Sequence, residues 1–415
     1  MSFVSSSNSA PLLSSERTLV RSETFATAIL FISLFPSFLV PSNQLSAAVS
    51  LIVFPIALAM HVFGTTRRSP WGMPFGIVCL VLITLFSSAW SYTPRTTFEL
   101  ALRGTLPMVN IFLIVGVMSP QLAWRVFIRV LGLSIVGSLV AVAILPSAVH
   151  SSADSLIAGS WRGLFYHKNG AGPVAAIAVL IFLESYRRRR RFRDVVLLLC
   201  SVVFLVGTQS KTSMILVVFG IWVFLLVRGW YARGYFQLFA GFAFLFAVFV
   251  AVVLISFPEV QAALFDNPYN FTGRVGIWKT ALAISESKPY FGYGFRSVFG
   301  SDDFSLIGFG YTPFAAIAPH PHNAYIQALL GIGVVGMLIA IWALVIQPLS
   351  TAIKIRGDAV PSYIAICVTI IVFSALRGVF ESNVMQFGRP GWIVWPVCYA
   401  ILLAYKNQTP LRQND

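Results

Sequence analysis

Two histidines and an asparagine stand at the start of a long apolar run, in the sequence HPHNAYIQALLGIGVVG. The proline between the histidines favours extended geometry in the residue before it, so the side chains of His320 and His322 can point the same way. Asn323 is a good N-cap for the helix that the apolar run predicts. A neutral imidazole can accept a proton from a sugar hydroxyl near pH 7. His322 is therefore the first candidate for a general base, and His320 is the second.

Four cations stand in polar stretches that could meet the same ligand. Arg274 lies in TGRVGIW, Arg162 and Lys168 lie in SWRGLFYHKNGAG, and Lys211 lies in GTQSKTS. A guanidinium binds phosphate oxygens through two parallel hydrogen bonds and stays charged, so these positions suit an anionic ligand. Each also has a simpler interpretation: an arginine on an amphipathic helix, interfacial anchoring with snorkelling cations, or a plain loop lysine.

The elements that must position these residues are set by the composition. The chain has 415 residues, of which 57% are hydrophobic and only 10% are charged, and its mean hydropathy is +0.82. Soluble domains carry about 25% charged residues, so this is an integral membrane protein. Its net charge of +15 does not indicate a nucleic-acid partner, because the basic residues are spread along loops instead of being interleaved with aromatic ones.

The apolar runs are near the length of a transmembrane helix and lack the alternation of barrel strands. The predicted fold is therefore all-α, a polytopic membrane helical bundle of about 12 spans with a large periplasmic loop. The predicted spans are 23–40, 45–63, 73–90, 98–118, 124–145, 171–186, 194–210, 212–228, 235–257, 323–346, 359–380 and 390–405. The pair around Gln209-Ser210-Lys211 is either two spans or one broken, re-entrant unit.

Orientation follows from the loops, since short loops rich in arginine stay in the cytoplasm. The run RRRRRFR at 187–193 is the strongest such signal, and alternation from it places both termini in the cytoplasm. The predicted organisation is a cytoplasmic tail, membrane helices, a periplasmic loop with the catalytic elements, further membrane helices and a second cytoplasmic tail: 1–22, 23–257, 258–322, 323–405 and 406–415. Within the loop, GRVGIWKTALAISESKP predicts a short amphipathic helix packed on the membrane domain.

Neither a metal nor another cofactor is predicted. Two histidines do not make a zinc site, and no HExxH, DxD or cysteine pair accompanies them. Asp302 and Asp303 are only a weak candidate for a cation site. The sequence GIGVVG looks like a dinucleotide loop but lies inside a predicted membrane helix, where close helix packing explains it better. Glu381 lies near Arg377 and Arg389 and is expected to pair with one of them or to orient an acceptor.

Taken in order, these motifs resemble the O-antigen ligase and polymerase superfamily of bacterial envelope glycosyltransferases, and the wording of WRGLFYHKN and SKTS is most similar to exopolysaccharide polymerases of the succinoglycan type. The resemblance implies a metal-independent, inverting transfer of glycan from undecaprenyl diphosphate at the periplasmic face. It makes His322 the base and Arg274 and Arg162 the diphosphate ligands, with Lys211 in support and Lys168 beside them. Lys211 departs from the family, which often has arginine there.

The predicted function is polymerisation of an envelope polysaccharide, in exopolysaccharide or O-antigen biosynthesis. Its predicted partners are the lipid-linked glycan, an acceptor glycan or lipid, the membrane and a chain-length regulator, and no nucleic acid. One alternative is a ligase that moves finished polymer onto lipid A core, and another is a transporter of lipid-linked oligosaccharide. A third is a peptidoglycan polymerase, which would rely on a loop aspartate among Asp266, Asp302 and Asp303.

Overall fold

The computed structural model describes residues 25, 28, 43–63, 73–151, 157–231, 274–299, 320–355, 360–382 and 390–408. Regular structure among them is helical, apart from one isolated bridge between Val149 and Trp161. The helices are α1 (Asn43–Phe63), α2 (Phe75–Phe86, followed by a 3₁₀ turn), α3 (Pro94–Gly116), α4 (Pro120–Ile144), α5 (Lys168–Arg189), α6 (Phe192–Gly207), α7 (Lys211–Tyr231), α8 (Arg274–Glu286), α9 (Ala324–Ile353, with a π-helical segment), α10 (Ser362–Phe380) and α11 (Pro390–Gln408).

The all-helical class is confirmed for the part of the chain that the structure describes. Six of its helices, α3, α4, α5, α7, α9 and α10, are long and apolar enough to cross a membrane. Ten predicted spans overlap described helices, whereas predicted span 235–257 and nearly all of 23–40 lie outside the described residues. The predicted total of about 12 spans is therefore not confirmed.

Helix α5 lies at the centre of the bundle, with α4, α6, α7, α10 and α11 packed around it. Small residues near its start let its neighbours approach closely, as in membrane helix packing. A Cβ on Gly172 would stand 2.5 Å from Cβ of Ser210, so only glycine fits there. This contact brings the α6–α7 turn against the beginning of α5, where Lys168 lies.

The polar turn at 208–210 joins two separate helices. Gln209 adopts a left-handed conformation with φ 51°, which reverses the chain between α6 and α7. Gly172 faces Ser210, and Gly220 faces Leu180, so α7 runs parallel to α5. The structure shows two separate helices here, of which α7 is long and apolar enough to cross a membrane.

The predicted amphipathic helix of the loop is confirmed as α8. Its buried residues include Val275, Ala281 and Ile284. The apolar cluster around this helix also includes Leu330, which belongs to α9. The loop helix therefore completes its core by packing on a membrane helix, as expected for a segment with too few apolar positions for a core of its own.

The sequence GIGVVG interrupts α9, because Gly333 has φ 68° and ψ −175°. The freed backbone groups pair with the loop that follows α8: the N–H groups of Tyr293 and Gly294 donate to the carbonyls of Leu330 and Gly331 at 2.8 and 2.9 Å. A Cβ on Gly333 would stand 2.1 Å from the carbonyl oxygen of Tyr290. The motif was predicted to pack against another helix, and this prediction is wrong, because the glycines face the backbone of a loop. The glycines admit the loop backbone and fix it to α9.

Candidate functional site

The segment with the two histidines is held at three points. The side-chain oxygen of Asn323 accepts from the backbone N–H groups of Tyr325 and Ile326 at 2.9 and 3.0 Å, which confirms the predicted N-cap of α9. The Asn323 N–H donates to the Ser382 hydroxyl just after α10. The Pro321 carbonyl accepts from the indole of Trp278 on α8. Three elements therefore fix this short stretch: α8, α9 and the end of α10.

His322 adopts a left-handed backbone conformation with φ 50°. For a residue other than glycine such a conformation costs about 1–3 kcal/mol and concentrates at functional sites. The rings of His320 and His322 lie 4.2 Å apart, centre to centre, so both side chains occupy the same region, as the HPH spacing predicted. Nδ1 of the buried His320 accepts from the His322 backbone N–H at 3.4 Å.

Arg274, the first residue of α8, reaches the end of α10. Its Nη2 lies 2.9 Å from Oε1 of Glu381, and its Nη1 donates to the carbonyl oxygen of Phe380. The other carboxylate oxygen of Glu381, Oε2, lies 3.5 Å from Nδ1 of His322. One carboxylate thus contacts both the predicted phosphate ligand and the predicted base.

Glu381 is ionised although it is only 4% exposed. Burial alone raises the pKa of this carboxyl, but contact with His322 and the charges of Arg377 and Arg274 outweigh burial, so its pKa is lowered to about 2. A buried charge is tolerated when it is paired in this way. We call Arg274, His322, Glu381 and Arg377 the Glu381 cluster.

Arg377 links this cluster to the start of α5. It is 3% exposed, and its Nη2 donates to the carbonyl oxygen of Asn169 at 2.7 Å. Asn169 directly follows Lys168, so contacts run without a gap from the beginning of α5 through Arg377 and Glu381 to Arg274.

Lys168 and Lys211 are the first residues of α5 and α7 and lie close enough to repel each other electrostatically. Neither forms an ion pair with a carboxylate among the described residues. We call them the lysine pair. Two cations at two helix N-termini create a positive field that favours an anion.

Arg162 holds the chain that leads into α5. Its Nε donates to the Ser147 carbonyl and its Nη1 to the Tyr166 carbonyl. Two further imidazoles support the same turn: Nε2 of His150 accepts from the Lys168 N–H, and Nδ1 of His167 accepts from the Asn169 N–H. The structure therefore gives Arg162 backbone contacts within its own loop and shows no direct contact between it and the Glu381 cluster.

Glu381 and Arg377 are the members of the site that sequence reasoning placed least well. In the sequence they can be recognised only as two ionisable residues at the end of an apolar span, where such groups are functional candidates by default. Glu381 pairs with Arg274, more than 100 residues away, and this partner was not predicted. Arg389, Asp266, Asp302 and Asp303 lie outside the described residues.

Among the described residues, no group of three histidine, cysteine, aspartate or glutamate side chains is placed to hold a metal ion. The ionisable groups that the structure describes at this end of the bundle are imidazoles, guanidiniums, ammonium groups and the buried carboxylate of Glu381. Such a set can bind an anion and transfer a proton.

Comparison with known proteins identifies the central part of the chain. Residues 195–341 match the family model described as O-Antigen ligase, a region that runs from α6 into α9. It contains four of the predicted site residues: Lys211, Arg274, His320 and His322. Glu381 lies beyond the matched region. No curated protein matches the chain. Over this region, the match confirms the resemblance to the O-antigen ligase and polymerase superfamily that the motifs carry.

Proposed function

We propose that this protein is an envelope polysaccharide polymerase. In this proposal it transfers a glycan from undecaprenyl diphosphate to the hydroxyl of an acceptor sugar, in exopolysaccharide or O-antigen biosynthesis. Its family implies a glycosyltransferase-like enzyme with a lipid-linked glycan substrate. The observation that carries the proposal is the convergence of Arg274 and His322 on one buried carboxylate at the end of the bundle where the lysine pair also lies.

The chemistry needs few groups. Diphosphate is a weak base and leaves without a general acid, so the site must only stabilise the negative charge that develops on it, and cations do so most directly. His322 removes the proton from the incoming hydroxyl, whose oxygen then attacks the anomeric carbon from the side opposite the diphosphate. The configuration at that carbon inverts, and no metal ion takes part.

Arg274 keeps donors for the diphosphate in spite of its internal partners. A guanidinium carries five N–H groups, and the contacts to Phe380 and Glu381 occupy two of them. The side chain is 19% exposed, so the remaining donors can meet a ligand at the open edge of the cluster. We assign Arg274 to the phosphate nearer the reacting sugar because it shares Glu381 with the proposed base.

The lysine pair suits the rest of the diphosphate. Its mutual repulsion is relieved when an anion binds between the two ammonium groups, and the positive ends of the α5 and α7 helix dipoles add to the attraction. Arg162 would contribute from the loop before α5, through the guanidinium edge that its backbone contacts leave free. His320 would stay beside His322 as a second imidazole of the acceptor site.

The proposed orientation places this site at the periplasmic face of the bacterial inner membrane, with both termini in the cytoplasm. The arginine run begins at the end of α5, which is 22 residues long and so about 33 Å from its first residue, Lys168. Glu184 near that end pairs with Arg187, which belongs to the run. Since arginine-rich loops stay in the cytoplasm, Lys168 and the Glu381 cluster would face the other side. The loop 258–322 is then the periplasmic unit that carries the catalytic elements.

A reconstitution assay tests the proposal. The donor is the undecaprenyl-diphosphate-linked oligosaccharide isolated from cells that lack this protein, and the purified full-length protein is placed in liposomes with it. Growth of lipid-linked chains supports a polymerase. Transfer only to added lipid A core identifies a ligase, and transbilayer movement without new glycosidic bonds identifies a transporter. Either of the last two outcomes rejects the proposed polymerase.

A further inference from the structure

We propose that Glu381 is a positioning residue that makes Nε2 of His322, and not His320, the base that activates the acceptor hydroxyl. The inference rests on the proposed function for the identity of the reaction, but the pairing itself is a property of the folded chain. It gives a structural reason for choosing between the two histidines, which the sequence only ranked.

The first step concerns the proton of His322. Nδ1 of this ring faces Oε2 of Glu381 at 3.5 Å, and a buried carboxylate that is ionised offers only lone pairs. A neutral His322 therefore places its proton on Nδ1, toward the carboxylate. Its Nε2 then carries the lone pair and points away from Glu381, available to accept the proton of a hydroxyl. A carboxylate that orients an imidazole in this manner is a recurrent device of proton-transferring sites.

The second step concerns His320, whose ring has the opposite arrangement. Its Nδ1 accepts from the backbone N–H of His322 at 3.4 Å, so the proton of a neutral His320 sits on Nε2. That nitrogen donates and has no lone pair with which to remove a proton. His320 is also only 4% exposed. Its contribution is to hold the strained backbone of His322, whose φ is 50°.

The third step concerns the distance between the base and the leaving group. Glu381 uses Oε1 for Arg274 and Oε2 for His322, so a single rigid carboxylate spaces the two. The charged and titratable groups that face it come from several elements: Arg274 from α8, Arg377 from α10, and His322, with His320 beside it, from the segment before α9. With two cations against it, the carboxylate stays ionised while His322 takes up and releases its proton.

The main experiment is a double-mutant cycle in the reconstitution assay, with Glu381→Gln, His322→Asn and the double variant. If Glu381 acts through His322, Glu381→Gln lowers kcat about 100-fold, within the usual contribution of acid–base groups, and changes the KM for the lipid-linked donor only slightly. In the His322→Asn background the same change lowers kcat by a much smaller factor, which reflects only the contact of Glu381 with Arg274, since residues that act as a unit are not additive. Glu381→Asp recovers part of the lost kcat.

Glu184→Gln is the matched control, because Glu184 is also buried and paired with an arginine but lies near the opposite end of α5. It should retain wild-type kcat. The proposal is overturned if Glu381→Gln has wild-type kcat, or if it lowers kcat by the same factor with and without His322, as a purely structural carboxylate would.

A second measurement does not depend on activity. Histidine ¹⁵N signals of the full-length protein in lipid nanodiscs report which ring nitrogen carries the proton, and the His322 signal is the one that His322→Asn removes. We expect the neutral ring to be protonated at Nδ1 in the wild type and to shift toward Nε2 in Glu381→Gln. Protonation at Nε2 in the wild type overturns the inference. If the wild type forms no glycosidic bond, the proposed function fails, and the tautomer still decides whether Glu381 positions His322.

Discussion

The Glu381 cluster and the lysine pair lie at the same end of the bundle, but only the cluster contains a carboxylate that compensates its positive charges. In the cluster, a buried carboxylate stands among Arg274, Arg377 and His322, so the side chains are fixed before any substrate arrives. In the lysine pair, two ammonium groups repel each other without a described carboxylate between them. The comparison indicates that the cluster holds its side chains in a fixed geometry, whereas the lysine pair attracts an anion.

This difference explains how one site can combine precision with affinity. Preorganised groups stabilise a transition state because they need not rearrange during the reaction. Groups that repel each other until an anion binds contribute instead to ground-state binding of that anion. Substitutions in the cluster should therefore lower kcat, and substitutions in the lysine pair should raise KM.

The largest effect is expected from His322→Asn. Asparagine tolerates a left-handed backbone better than most residues, so the fold should persist while the base is lost. We expect kcat to fall about 1,000-fold, within the range known for general-base removal, with normal insertion and an unchanged melting temperature. The measurement is chain growth from the lipid-linked donor. Wild-type product from this variant would remove His322 from the site.

Arg274→Lys should have the next largest effect, although it preserves the charge. An ammonium group cannot hold Glu381 and Phe380 with a planar fork and still present donors to a phosphate. We expect kcat/KM to fall about 100-fold, as when a transition-state donor is removed. Lys279→Arg, in the same helix α8, is the control and should leave turnover unchanged. Equal rates for Arg274→Lys and wild type would show that charge alone suffices at this position.

The sequence predicts those features of the site that depend on residues close together in the chain, and it does not predict those that depend on residues far apart. The N-cap at Asn323 and the α8 helix follow from local patterns, and the structure confirms them. Ten of the predicted spans overlap described helices. The carboxylate between Arg274 and His322 depends on a contact between the start of α8 and the end of α10, more than 100 residues apart, which no local pattern encodes. The break of α9 at Gly333 was equally hidden, because a glycine in an apolar helix suits helix packing as well as a loop contact.

Substitutions in the lysine pair should affect KM and not kcat, and they should stabilise the free protein. Lys168→Ala and Lys211→Ala should each raise the KM for the donor about tenfold, the value of one charge-assisted hydrogen bond, with little change in kcat. Each should also raise the melting temperature of the free protein, because the repulsion between the two ammonium groups is removed. Inorganic diphosphate should stabilise the wild type and stabilise these variants less.

A melting experiment with and without diphosphate separates the two regions. His322→Asn leaves the lysine pair intact, so it should keep the full stabilisation by diphosphate. If Lys168→Ala and Lys211→Ala lose kcat instead of affinity, or if diphosphate stabilises them as strongly as it does the wild type, the lysine pair does not bind the anion.

The smallest effect concerns acid stability. The pKa of Glu381 is about 2 in the folded protein, against 4.5 for a free carboxyl, so its ionised form stabilises the fold above pH 4.5, and this contribution is lost as the pH falls through 4.5 toward 2. Glu381→Gln has no such group, so its melting temperature should be lower than that of the wild type at pH 7 but should fall less steeply in that acid window. The measurement is the melting temperature of both proteins as a function of pH. If the two melting temperatures fall in parallel between pH 5 and 3, Glu381 is not held ionised by Arg377, Arg274 and His322, and the cluster is not organised around its charge.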